Sequence, residues 1–221
     1  MAVPNIVYLD TETKNLFDDV GGRGVDIKHW LSDDIVLTSE GILKLAFGIA
    51  ATYDNEGLRF WSDPAELLGY LLDEKVDHIV HFNGNTFDIP MILAQVDPPK
   101  IEGGKAILSE SFQMCYDLIG TKSTDILVKC EEVLGHRISL DSIIQGCFGR
   151  SKIMSGADWW KYYTSGDILK QTTAVNYLIG DVLDLYKIHS IGLELGQLAF
   201  TDSGGKKNSF KVEFKPDDVP F

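Results

Sequence analysis

An α/β fold, with a mixed central sheet flanked by helices and a small hairpin at the end, is predicted for this chain by three observations. Strand-like runs lead the sequence, helical segments interleave with them and then accumulate, and strand-like composition returns only near the C-terminus. With 221 residues, 44 % of them hydrophobic and only seven prolines, the chain has material for one domain, expected to span 1–221. A chain of that size buries roughly 70–75 % of its unfolded surface, so neither disulfides nor a structural metal is required for folding. Any metal is expected to serve chemistry.

The run Asn5 to Leu9 is β-branched and apolar, as in a strand buried on both faces, and polar chemistry begins at Asp10-Thr11-Glu12-Thr13, where the strand is expected to stop. A polar, Gly-rich insertion over 14–41 follows. Ile42 to Tyr53 then resumes strand-like composition, with Leu58 to Trp61 as its hairpin partner. Pro64 is placed to open a helix whose apolar residues lie in Ala65 to Leu72, and His78 to Phe82 is another short strand. A helix over Ile89 to Val96 and a strand over Phe112 to Leu118, with Asp117 at its end, come next. Helices are expected over Thr124 to Leu134, Leu140 to Phe148, Asp158 to Tyr163 and Ile168 to Ile191, closing a core of about 5–191. Gln197 to Thr201 and Ser209 to Phe214, separated by a stretch containing Gly204-Gly205, predict a C-terminal hairpin within 195–215.

Charge narrows the function classes. Lys plus Arg number 20 against 33 Asp plus Glu, a net charge of −13. That balance opposes broad adhesion to nucleic acid or anionic lipid, and it excludes a coating protein more firmly than an enzyme gripping a few nucleotides through bound cations. No run approaches the roughly 18 apolar residues of a membrane span, and the opening MAVPNIVYLD has neither a basic leader nor a signal-peptide core. Cys115, Cys130 and Cys147 are odd in number and form no CxxC pair. The expectation is a cytoplasmic protein with no membrane association.

Three clusters carry the chemistry. Asp10 and Glu12 are two apart on an extended chain, so both carboxylates point to one side and can reach one cation; strand-end solvation is the plain alternative. Asp88 closes the segment His81-Phe82-Asn83-Gly84-Asn85-Thr86-Phe87-Asp88, which leaves a strand at its carboxyl end, where ligands gather in open α/β sheets. It fits a helix N-cap equally well. Tyr177 and Asp181, four apart on a long helix, share one strip beside the apolar residues Val175, Leu178, Val182 and Tyr186. Gly21-Gly22-Arg23-Gly24 lacks the context of a dinucleotide loop, the five histidines have no metal-ligand spacing, and Trp159-Trp160 reads as packing.

The ordered set resembles the DEDD family of 3′–5′ exonucleases, of ribonuclease H-like fold, in the subclass with a tyrosine in the third motif. It is most similar to the proofreading exonuclease domain of family B DNA polymerases. The likeness runs through Tyr8-Leu9-Asp10-Thr11-Glu12, Phe82 to Asp88 and Tyr177-Leu178-Ile179-Gly180-Asp181, and extends to Ser139-Leu140-Asp141-Ser142 and Gly149-Arg150-Ser151-Lys152. The histidine subclass would carry His five residues before the last Asp; here that position is Asn176. The 14–41 insertion and the C-terminal hairpin depart from the pattern.

A carboxylate set without histidine or thiolate suits a hard cation, Mg2+ or Mn2+, and two ions can serve an in-line phosphodiester displacement. By resemblance Asp10 bridges both ions, Glu12 and Asp181 complete the first site, Asp88 holds the second through water, and Tyr177 orients the attacking water. Asn83, Phe87 or Phe82, and Thr11 are the substrate-contact candidates, core packing being the alternative for the phenylalanines. Arg150, Lys152 and Lys161 are candidate phosphate contacts. The implied substrate is the 3′ end of single-stranded or frayed DNA, with nucleoside 5′-monophosphates as product and a protein partner for substrate retention. The alternatives are an exoribonuclease or structure-specific nuclease of this fold, and a silent nucleic-acid-binding module.

Overall fold

The computed structural model describes residues 4–28, 37–102 and 105–214, and its architecture is the mixed α/β arrangement predicted from the sequence. In chain order come β1 (Ile6–Thr13), a 3-10 turn (Phe17–Val20), β2 (Asp26–Lys28), β3 (Leu37–Ser39), α1 (Glu40–Leu43), β4 (Phe47–Asp54) and β5 (Gly57–Trp61). Next are α2 (Pro64–Leu72), β6 (His78–His81), α3 (Asp88–Val96), β7 (Lys100–Glu102), β8 (Lys105–Ile107), α4 (Glu110–Thr121) and β9 (Ser123–Asp125). The chain continues through α5 (Ile126–Leu134), α6 (Leu140–Phe148), a second 3-10 turn (Gly156–Asp158), α7 (Trp159–Tyr163), α8 (Ile168–Leu195), β10 (Gln197–Thr201) and β11 (Lys207–Lys211).

The main sheet has the order β5-β4-β1-β6-β9, antiparallel on the β4 side of β1 and parallel on the β6 side. β6 pairs with β1 only over Ile6, Val7 and Tyr8, whereas β4 follows β1 on to Thr13. The second half of β1 therefore overhangs the carboxyl end of β6. Alternation along β1 then sorts its side chains: Val7 and Leu9 enter the core under α2, α3 and α4, while Tyr8 enters the core shared with α6, α8 and the β10–β11 hairpin. By the same parity Asp10 and Glu12 face the α8 side and Thr11 the α3 side.

Helix ends follow local chemistry. Asp63 accepts from the Ala65 N–H ahead of Pro64, Ser139 from Ser142 at the start of α6, and Asp167 from Leu169 at the start of α8. The C-terminal hairpin docks on α6 where Gly146 has no side chain; a Cβ there would stand 2.3 Å from the Phe200 backbone. None of the described helices is long and apolar enough to cross a membrane.

Several expectations are corrected. Residues 112–118 are helical, not a strand: Ser109 caps α4 by accepting from Phe112 N–H, and Phe112, Tyr116 and Ile119 are buried at helical spacing. Asp117 therefore sits within a helix, receiving the Gln113 amide at 3.0 Å. β1 continues through Asp10 and Glu12 because β4 still pairs with it. Residues 40–43 form a helical turn and the strand starts at Phe47, while β9 takes Ser123–Asp125 so that the following helix opens at Ile126. The final helix runs on to Leu195, and β11 occupies Lys207–Lys211 rather than 209–214. The β7–β8 hairpin has no counterpart among the expected elements. Residues 29–36 of the insertion and residue 215 of the expected hairpin segment lie outside the described residues.

Candidate metal centre and active-site cavity

Asp10 and Glu12 on the overhang of β1 meet Asp181 from α8, and a carboxylate oxygen from each lies within 4.8 Å of the others. Asp181 is delivered by the stripe Ala174, Tyr177, Leu178, Asp181, Val182 and Leu185, buried at helical spacing against the sheet. These three acids, Tyr177 and Asp88 line one cavity of about 280 Å³, with Thr11, Phe82, Phe87 and Gly156 also in its wall. Asp88 reaches the cavity from the opposite side of the sheet. Its Oδ1 accepts from Thr11 Oγ1 at 2.5 Å, as the parity of β1 requires, and it stands apart from the three-carboxylate group.

The turn that leads to Asp88 is held from several elements. Asp125, at the end of β9, accepts from the Asn83 N–H at 2.8 Å, the Asn85 N–H at 3.1 Å and the Leu127 N–H at 3.0 Å. His81 Nδ1 accepts from Gly84 N–H, Tyr116 donates to the Asn85 carbonyl, and Thr38 donates to the Thr86 carbonyl. Gly84 has no alternative residue, because a Cβ there would stand 2.4 Å from the His81 ring. Asn83 adopts the left-handed conformation (φ 66°), and its amide oxygen accepts from Thr86 Oγ1 and Arg137. The Asn83 amide oxygen thus serves the turn, while Thr11, Phe82 and Phe87 line the cavity.

The electrostatics are those of concentrated negative charge. Burial first, then Asp181 and Asp88, hold the Asp10 carboxyl well above the usual carboxylate range; burial, Asp10 and Asp181 do the same to Glu12. Asp88 is pushed up to about 7, chiefly by burial and against the Thr11 hydrogen bond. Asp181 is raised by burial despite Lys152. Lys152 Nζ donates to Asp181 Oδ2 at 2.6 Å and to the Tyr177 hydroxyl at 3.2 Å. Burial opposes its charge, but Asp181 and Asp10 outweigh that and raise its pKa. The Tyr177 phenol is driven far above its ordinary value by burial and by Asp181, Glu12 and Asp10.

One ammonium against three converging carboxylates leaves a surplus of negative charge, and every donor is an oxygen. Asp10, Glu12 and Asp181 can therefore hold a hard divalent cation. Of the candidate phosphate contacts, Arg150 is ion-paired with the buried Asp184, Lys152 belongs to the acid cluster, and Lys161 is exposed. Asp125 and Gly156 escaped the sequence reading. An Asp that ends a short strand and caps the next helix carries a local signal, but its grip on a turn forty residues earlier does not.

No family model matches the chain, and comparison with curated proteins finds no match. Among solved structures it is similar to that of the family B DNA polymerase from the hyperthermophilic archaeon Pyrobaculum calidifontis, with a TM-score of 0.52 and 16 % sequence identity. The alignment covers 86 % of this chain and 25 % of the polymerase chain. The likeness is one of fold, shared with part of a nucleic-acid-processing enzyme.

Proposed function

We propose that this protein is a metal-dependent 3′–5′ exonuclease of the tyrosine DEDD subclass, acting on single-stranded or frayed DNA ends. The observation that carries the proposal is the convergence of Asp10, Glu12 and Asp181 within 4.8 Å, beside a cavity that Asp88 and Tyr177 also line. Acids from β1 and α8 gain nothing from each other as neighbours; the arrangement is costly unless a cation offsets it. Asp10, Glu12 and Asp181 would hold the metal, with Asp88 facing the cavity from the other side for a second ion. When bound, Mg2+ or Mn2+ supplies acidification of a water and offsets charge growing on the phosphoryl oxygens.

The chain's own groups do the rest. Tyr177, with a pKa far above neutrality, keeps its proton and orients the attacking water rather than deprotonating it. Before a metal enters, Lys152 holds Tyr177 and Asp181 together through its two hydrogen bonds. Phe82 and Phe87 give the cavity an apolar wall that accepts a base irrespective of sequence. In the reaction the water oxygen bonds to phosphorus, the bond to the 3′ oxygen of the preceding nucleotide breaks, and that oxygen leaves with a proton. The products are a nucleoside 5′-monophosphate and a strand shortened by one residue.

The test is incubation of 5′-labelled single-stranded DNA, mismatched duplex and RNA with the protein in Mg2+, Mn2+ or chelator, beside Asp10→Ala. A metal-dependent ladder from the 3′ end of DNA, absent from the variant, is expected. Faster RNA cleavage would reassign the substrate, and inactivity on all three would favour the binding module.

A further inference from the structure

We propose that Trp160 and Lys14 form a subsite for the single DNA strand running away from the cavity, the indole stacking on a base and the ammonium meeting a phosphate. This rests on the nuclease reading above. Both residues come from segments that build the cavity wall: Thr13 and Asn15 flank Lys14, and Gly156 and Ala157 lead into α7. Lys14 Nζ lies 5.7 Å from the centre of the Trp160 ring, so cation and aromatic ring stand together next in the chain to residues that line the cavity.

Trp159 belongs to the core, whereas Trp160 packs against that core with part of its ring exposed. Trp159 is fully buried, donates its indole N–H to the Ala174 carbonyl, and clusters with Ala174 and Tyr177. Trp160 is only half-buried, and it is backed by Trp159 at 6.1 Å and Tyr163 at 5.9 Å between ring centres. A ring fixed from behind loses little freedom when a base stacks on it, which is what a sequence-tolerant platform requires.

Charge points to the same ligand. In a chain of net charge −13, Lys14 and Lys161 are exposed beside this helix, and Lys170 lies 5.9 Å from the Tyr162 ring, a second pairing of cation and aromatic on α7. The acids closest in sequence to α7 are Asp158 and Asp167, and Asp167 caps α8 through Leu169 and Lys170 N–H, while Glu12 of the acid cluster lies two residues before Lys14. Alternating aromatic faces and ammonium groups match the alternation of base and phosphate along one strand. They supply locally the cationic grip that the overall charge denies.

The test measures binding of a labelled twelve-nucleotide single-stranded DNA in Mg2+ by the Asp10→Ala protein, as a function of salt, together with hydrolysis by the otherwise unsubstituted protein. Trp160→Ala is expected to weaken binding about tenfold or more, the cost of one lost stack, with Trp160→Phe restoring most of it. Lys14→Gln is expected to reduce the slope of log affinity against log salt by about 0.7, one phosphate contact. In hydrolysis, each variant should lower the preference for the twelve-nucleotide strand over a trinucleotide. Unaltered affinity and salt slope in Lys14→Gln, a surface change that tests the subsite even if Trp160→Ala fails to fold, would overturn the proposal. Tight, Trp160-dependent binding without hydrolysis would refute the nuclease reading and leave the subsite standing.

Discussion

Thr11→Val isolates one hydrogen bond of the candidate site. The Thr11 hydroxyl is 2.5 Å from Asp88 Oδ1, in a residue only 6 % exposed, so valine fills nearly the same space and removes only the donor. A hydrogen bond to a charged group contributes about 1.5–3 kcal/mol, which at 1.36 kcal/mol per decade is about ten- to a hundredfold. The bond favours ionised Asp88, so its loss should raise the Asp88 pKa further above about 7 and leave less carboxylate at neutral pH. The assay is the Mg2+ titration of exonuclease rate and the pH–rate profile, with thermal melting to establish folding. The midpoint should rise about tenfold or more, the acid limb of the profile should move to higher pH, and Thr11→Ser should restore both. A folded Thr11→Val protein with the original midpoint and profile would refute the assignment of Thr11 as the group that positions Asp88.

Other outcomes follow from the same geometry. Gly156→Ala places a methyl 3.3 Å from the Tyr177 hydroxyl and 3.8 Å from Glu12, so turnover should fall about tenfold while the melting temperature holds, as checked by steady-state kinetics and calorimetry. Asp125→Ala should cost about 1–3 kcal/mol in urea unfolding, since it orphans N–H groups of the Asn83 turn and uncaps α5, and Asp125→Asn should cost less. Burial lowers the His189 pKa to about 4, below its unfolded value near 6.5. Its contribution to stability is therefore whole above 6.5 and is lost as pH falls toward 4, up to about 3 kcal/mol, and His189→Gln should flatten that part of the urea-stability profile. Asp88 has the opposite sign. With its folded pKa raised, the metal-free protein loses stability as pH rises through about 7, so added Mg2+ should lift the melting temperature more above neutrality than below it.

The sheet and the acids were legible because their signals are local. Alternation fixes which side Asp10 and Glu12 share, and a spacing of four fixes Tyr177 and Asp181 on one strip of α8. The Phe112 to Leu118 segment misled because a short apolar run suits strand or helix alike; the Ser109 cap, outside the run, decides it. The course of β1 past Leu9 was hidden for another reason. It depends on β4 pairing up to Thr13, a contact between strands that no window on β1 contains. Sequence shows the charge of Lys152 but not its burial among acids, and it does not show Arg137 reaching Asn83. The same alternation puts Thr11, one residue out of step with Asp10, on the side from which it bonds Asp88.

The most direct measurement is a Mn2+ anomalous difference map from crystals of the protein grown with that ion. A peak held by carboxylate oxygens of Asp10, Glu12 and Asp181, with Lys152 Nζ moved off Asp181, is the expected result. A map with no peak there, and Lys152 still seated between Asp181 and Tyr177, would contradict the reading of these acids as a metal centre.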